Sequence, residues 1–208
     1  MSIIGSVNGW PLLSVPLTPG QRQVDWSMVS IVGAVPNPFT GRQQIQGWQA
    51  GYWEAVVTMP PMLRSTAEQW VALLAQAQGM NNVFYFGDGL GTKPQGTAAG
   101  VGVTSGSFQG GFQLTTTGWT PGQFALFSPG DWIQIGWRLY KVMDQAQSDG
   151  AGNSSFAIWP QIREIPPSGT VIITQGAQGL FRMKANTLKY SISYLRTWNL
   201  SFEIREAI

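Results

Sequence analysis

Short segments that alternate apolar and polar residues, cut by Gly, Pro, Asn and Asp, recur along most of the chain and restrict it to a mainly β fold. A period of two puts successive side chains on opposite faces of a strand, so each segment carries one apolar face that a sheet partner must cover. Residues 53–59 are rich in β-branched and aromatic types and are stopped by Pro60-Pro61, because proline cannot donate to a ladder. Residues 82–86 read as a buried strand. Towards the end, Leu188, Tyr190, Ile192 and Tyr194 share one face and Trp198, Leu200, Phe202 and Ile204 another, with Arg196-Thr197 at the bend. These two strands complete the sheet begun around residues 26–32 and 53–59.

One helix interrupts the pattern, over about residues 66–78. Ser65 with Glu68 has the spacing of a capping box. Ala67, Trp70, Val71, Leu74 and Ala77 recur at steps of three and four as one apolar stripe, and Gly79 is placed to end it.

A Gly-rich stretch over residues 87–111 supplies turns and a linker but little core. Residues 112–174 then read as a small inserted β unit. Within it, residues 131–135 and 138–142 form a hairpin around Gly136-Trp137, residues 148–153 form a turn, and residues 155–159 make a strand ended by Pro160. The expected division is a first domain of residues 1–95 with 176–208, carrying an inserted domain of residues 96–175.

Composition limits what this fold can do. The 208 residues include 10 Trp, 10 Phe and 5 Tyr but no Cys and no His, and 11% are charged, against about 25% in an ordinary soluble domain. Much of the surface is therefore expected to be buried against other subunits. Without His or Cys, histidine-based hydrolase triads, cysteine nucleophiles and most metal sites drop out. Asp88, Asp131, Asp144 and Glu164 fall in or near loops, but no spacing pairs them for glycosidase work, and Asp131 sits in a Pro-Gly-Asp turn where a carboxylate bonds local backbone. Residues 87–91 lack the Gly-Lys-Ser/Thr ending of a phosphate cradle. No enzyme activity, cofactor or metal is expected.

The net charge of +2 comes from scattered residues, and the nearest basic group, Arg182, Lys184 and Lys189, reads as the solvated face of a strand rather than a nucleic-acid site. No apolar run reaches the roughly 18 residues needed to span a bilayer, and residues 1–19 lack the basic start and continuous apolar run of a signal peptide. A carbohydrate-binding module is the rival class. Trp132 and Trp159 alternate with aliphatic residues and read as core, whereas Trp119 and Trp137, each beside a glycine, are candidates for exposed indoles that stack on sugar rings.

The order of elements resembles a group of tail proteins from long-tailed bacteriophages and prophages, the distal tail proteins. The likeness runs over nearly the whole chain: Val35-Pro36-Asn37-Pro38-Phe39-Thr40-Gly41, the Trp53 strand into Met59-Pro60-Pro61-Met62, the Trp70 helix, Phe86-Gly87-Asp88-Gly89-Leu90-Gly91-Thr92, Gly130-Asp131-Trp132-Ile133-Gln134-Ile135, Leu139-Tyr140-Lys141-Val142 and the Phe202-Glu203 ending. The resemblance implies a tube-type domain, a two-sheet sandwich or split barrel with one helix, plus a small β-barrel-like insertion that projects outward. It also implies a closed ring of about six copies at the distal end of the tail tube, joining tube protein to baseplate hub or tail-fibre proteins. That ring would belong to the virion tail tip and assemble in the host cytoplasm. The residues of strands 188–194 and 198–204 named above are the candidate contacts between subunits.

Overall fold

A computed structural model describes residues 3–48, 50–106, 109–194 and 196–208. Along the chain, β1 (Ile3–Val7), β2 (Trp10–Leu13), β3 (Gln23–Val29), β4 (Val32–Pro36), β5 (Gln43–Gly47) and β6 (Tyr52–Thr58) precede α1 (Arg64–Gln76). After it come β7 (Val83–Phe86), β8 (Gly100–Thr104), β9 (Gly111–Trp119), β10 (Trp132–Ile135), β11 (Arg138–Val142) and β12 (Ser154–Ile162). The last four strands are β13 (Ile172–Ile173), β14 (Gly179–Met183), β15 (Tyr190–Ile192) and β16 (Trp198–Glu206). The protein is mainly β with one helix among the described residues, as the alternation predicts.

Among the described residues three sheets result. The largest runs β1-β2-β7-β14-β16-β6-β3, with β15 also on β16; a second runs β13-β10-β11-β12-β9-β8; the third is β4-β5 alone. The first sheet thus draws its strands from both ends of the chain, β1 to β3, β6, β7 and β14 to β16, and the second from β8 to β13 between them. The second sheet nearly closes into a barrel, because Val103 on β8 bridges Val171 and the Thr104 amide donates to Thr170 O at 2.9 Å. The C-terminal strands do complete the early sheet: β16 pairs with β6 from Ser201↔Thr58 to Arg205↔Glu54, and β6 pairs in turn with β3.

Alternation sorts side chains as expected on these strands. Trp53, Ala55 and Val57 on β6, with Leu200, Phe202 and Ile204 on β16, face inward and are buried. The helix lies on that face, with Trp70 against Phe202 at a ring separation of 6.1 Å. The opposite face carries charge: Glu54 accepts from Lys184 at 2.9 Å and Arg205 at 2.8 Å, and Lys184 also reaches Glu203 at 3.3 Å. Burial alone would raise the Glu54 carboxyl, but the hydrogen bonds from Lys184 and Arg205 outweigh it and hold the group below its usual range.

Two local expectations are corrected. The helix starts at Arg64 with Leu63 as N-cap and no side-chain cap bond, so Ser65 lies inside the first turn; Glu68 instead meets Arg64 one turn back at 3.4 Å. The chain arrives extended from Pro60-Pro61, and the Ala67 amide bonds Leu63 O directly. The stripe also turns slightly: Leu73 is fully buried while Val71 is only partly so. The helix ends at Gln76 with Ala77 as C-cap, and the chain leaves it through Gln78 at φ +50 and Gly79 at φ +64, so the left-handed turn begins one residue before the glycine. The second correction concerns Pro160, which does not end its strand; β12 runs on to Ile162 through a register shift between Ala157 and Ile162, where a missing donor is tolerated.

The two large sheets share a core. Trp132, Leu139 and Trp159 of the second sheet pack among the buried residues of the first. Trp53 is the centre, 4.8 Å from Trp132, 4.4 Å from Trp159 and 5.7 Å from Trp26 by ring centroid, and its Nε1 donates to Leu139 O at 3.1 Å. Beside it, the buried Glu206 accepts from Arg138 at 3.2 Å, Arg163 at 2.6 Å and the Trp53 amide at 3.2 Å. A buried carboxylate is tolerated only when paired and hydrogen-bonded in this way.

Candidate assembly surface

Apolar residues that found no place in these cores concentrate on β4–β5. β4 and β5 form a regular antiparallel arm with register from Val32↔Gly47 to Pro36↔Gln43. Its turn is built by Asn37, whose Oδ1 accepts the Phe39 amide at 2.9 Å and the Thr40 amide at 3.2 Å. The base is closed by the Trp48 amide on Ile31 O at 3.0 Å. Val32, Val35, Phe39, Ile45 and Trp48 are all exposed, Phe39 at 95%.

Cross-strand pairing puts Val32, Ala34 and Ile45 on one face of this arm. That face covers nothing. An isolated two-stranded hairpin is marginal in water, and this one is held by its ladder, its turn and its base. The signal was present in the sequence as alternation in Val32-Gly33-Ala34-Val35 and Gln44-Ile45-Gln46.

The candidate inter-subunit strands divide sharply. Trp198, Leu200, Phe202 and Ile204 lie at 8%, 2%, 4% and 0% exposure inside the protein's own core, so they cannot meet a neighbour; α1 and the second sheet already occupy their face. Leu188 is partly buried against the same core. Tyr190, Ile192 and Tyr194 are exposed. Tyr190 stacks on Trp198 at 5.1 Å and 12°, across the β15–β16 hairpin that the bend at Arg196-Thr197 predicted. The edge of β3 adds a third element: its seven residues pair with β6 on one side only, and Met28 is half exposed. An unpaired edge offers backbone donors and acceptors to another chain.

The two candidate sugar-stacking indoles do not form a platform. Trp119 is 3% exposed. One side is closed by Gly102, where a Cβ would collide with the ring, and Phe127 packs edge-on at 5.2 Å; the Nε1 donates to Thr116 Oγ1 at 2.7 Å. The glycine next to Trp119 suggested exposure, whereas the glycine that matters lies across the sheet. Trp137 is half-buried, packed edge-on against Trp10 at 6.2 Å with the Arg138 guanidinium 4.0 Å over its ring.

Nor do the carboxylates gather into a reactive pair. Asp131 accepts the Gln95, Gly96 and Ser128 amides at 2.7, 3.2 and 2.8 Å, the backbone role its turn implied. Asp88 accepts Leu90 N and Trp132 Nε1, and Asp144 accepts Ala157 N. Glu164 pairs with Arg138 at 2.9 Å. Among the described residues no cluster of three or more Asp, Glu, His or Cys could hold a metal ion, and no helix is long and apolar enough to cross a membrane. No protein-family model matches the chain, and no curated protein matches it in sequence.

Proposed function

We propose that this chain is a non-enzymatic structural subunit of a bacteriophage tail tip, forming a ring of about six copies at the distal end of the tail tube and joining it to baseplate hub or tail-fibre proteins. The observation that carries the reading is the β4–β5 arm, an ordered hairpin whose apolar face has no core of its own. In a ring each arm lies on the next subunit, and contacts between different surface patches close by rotation. The free β3 edge and the Tyr190, Ile192, Tyr194 patch supply further contact area. Low charge and abundant aromatic residues suit a subunit covered on several sides. Sugar binding is the weaker reading, since Trp119 has no free ring face.

Electron microscopy of the purified chain, alone and mixed with tail-tube protein, tests this reading. Closed rings with an open lumen are expected. A monomer under both conditions would overturn it.

A further inference from the structure

Four surface grooves carry a carboxylate in the wall: Glu203, Asp88, Asp88 with Asp131, and Glu68. A further groove does not. It encloses about 420 Å³ where β3, β6, β15 and β16 meet, and its wall combines Arg22 and Lys189 with Thr58, Ser191, Asn199 and Ser201. Two cations, four hydroxyls with that of Tyr190 and one amide therefore line it beside the apolar Met59 and Leu200, with no acid among them. We propose that this groove is a binding site for a phosphate-type oxyanion.

The sheet fixes the donors. Arg22 precedes β3 and is anchored by its own amide on Thr58 O at 2.9 Å. Thr58 and Ser201 are register partners, with hydroxyl oxygens 3.4 Å apart. Ser191 and Asn199 are partners across β15–β16, and Lys189 stands just before β15. Neither Arg22 nor Lys189 makes an ion pair with a described residue.

The nearest acids along these strands are engaged elsewhere: Asp25 accepts Gln23 Nε2 at 2.8 Å, and Glu203 meets Lys184. A guanidinium and an ammonium facing one concavity favour an oxyanion that accepts charge-assisted bonds from both, with the hydroxyls completing its shell. The size of the groove leaves room for a substituent on the phosphate, so either a free phosphate or a phosphate ester has the required chemistry.

Equilibrium dialysis of the whole chain with radiolabelled inorganic phosphate at low ionic strength tests the site, because salt near 0.1 M already screens beyond about 10 Å. Saturable binding is expected, weakened at least about fivefold by either R22Q or K189Q and at least about tenfold by both together, since each removes one charge-assisted contact. Both side chains are exposed and unpaired, so the fold is retained, which circular dichroism would verify. K93Q, in the groove with Asp88 and Asp131, should leave binding unchanged. Displacement by dimethyl phosphate would show that a diester suffices, and failure to displace would restrict the ligand to a monoester or free phosphate. Absence of saturable binding, or equal binding by the R22Q/K189Q chain, would overturn the proposal. Neither substitution touches the β4–β5 arm; because Tyr190 lines this groove and also belongs to the proposed contact patch, the mass of the chain is measured beside the dialysis, so that a change in assembly and a loss of the anion site are told apart.

Discussion

Two hairpins in this protein look alike in sequence and differ completely in what holds them. The β10–β11 hairpin has four residue pairs around the Gly136-Trp137 turn, and all but one of its residues are buried. The β4–β5 arm has five pairs, and all but one of its residues are exposed. The first is fixed by the Trp53 cluster, by Arg138 on Glu206 and by the barrel interior; the second, among the described residues, has its ladder, the Asn37 turn, the Trp48 amide on Ile31 O and the Trp48 ring against Gly33. Alternation specifies a strand but not what covers it. Stability therefore resides where the two large sheets meet, and the arm leaves its apolar face exposed.

The largest effect that would break this contrast is predicted at Trp53. Trp53→Ala removes the ring that both sheets share and should destabilise the protein by up to about 5 kcal/mol, seen as a large drop in the denaturant midpoint. A loss near zero would mean the sheets do not depend on one another. Next comes Glu206→Ala, which leaves the partly buried Arg163 without its carboxylate and Arg138 with Glu164 alone. A cost of about 3 kcal/mol is expected from uncompensated buried charge, and Glu206→Gln should recover part of it by keeping the Trp53 amide bonded.

A smaller effect concerns pH. Burial raises the Tyr140 hydroxyl to about 12, above the value near 10 of an unfolded tyrosine. Between those values the unfolded chain ionises first and binds fewer protons than the native one, so stability is intact below about pH 10 and falls as pH rises towards 12. Tyr140→Phe should flatten that decline in a pH series of thermal melts. An unchanged slope would show that Tyr140 ionises as freely in the folded protein. The smallest effect on monomer stability is expected in the arm: Ile45→Asp should shift the unfolding midpoint by less than about 0.5 kcal/mol, as for an exposed site with no partner.

The sequence made some of this visible and hid the rest for physical reasons. Helix α1 was legible because its stripe is local, although its cap was misplaced by the chance spacing of Ser65 and Glu68. The C-terminal hairpin and its place in the sheet were legible because period two runs unbroken through β16. Which of its faces is free was not, since Trp198 to Ile204 and Tyr190 to Tyr194 are equally apolar in sequence and only the position of α1 and the second sheet separates them. Trp119 was misjudged because Gly102, its cover, lies far back along the chain. Glu206 gave no signal at all, as its partners stand 68 and 43 residues away.

Light scattering of the wild-type chain and the Ile45→Asp chain over a range of concentrations tests the role of the arm most directly. The wild type should reach a closed oligomer whose mass stays fixed as concentration rises, while Ile45→Asp should remain a folded monomer. Equal masses for the two chains would contradict the assignment of the arm as the contact that joins one subunit to the next.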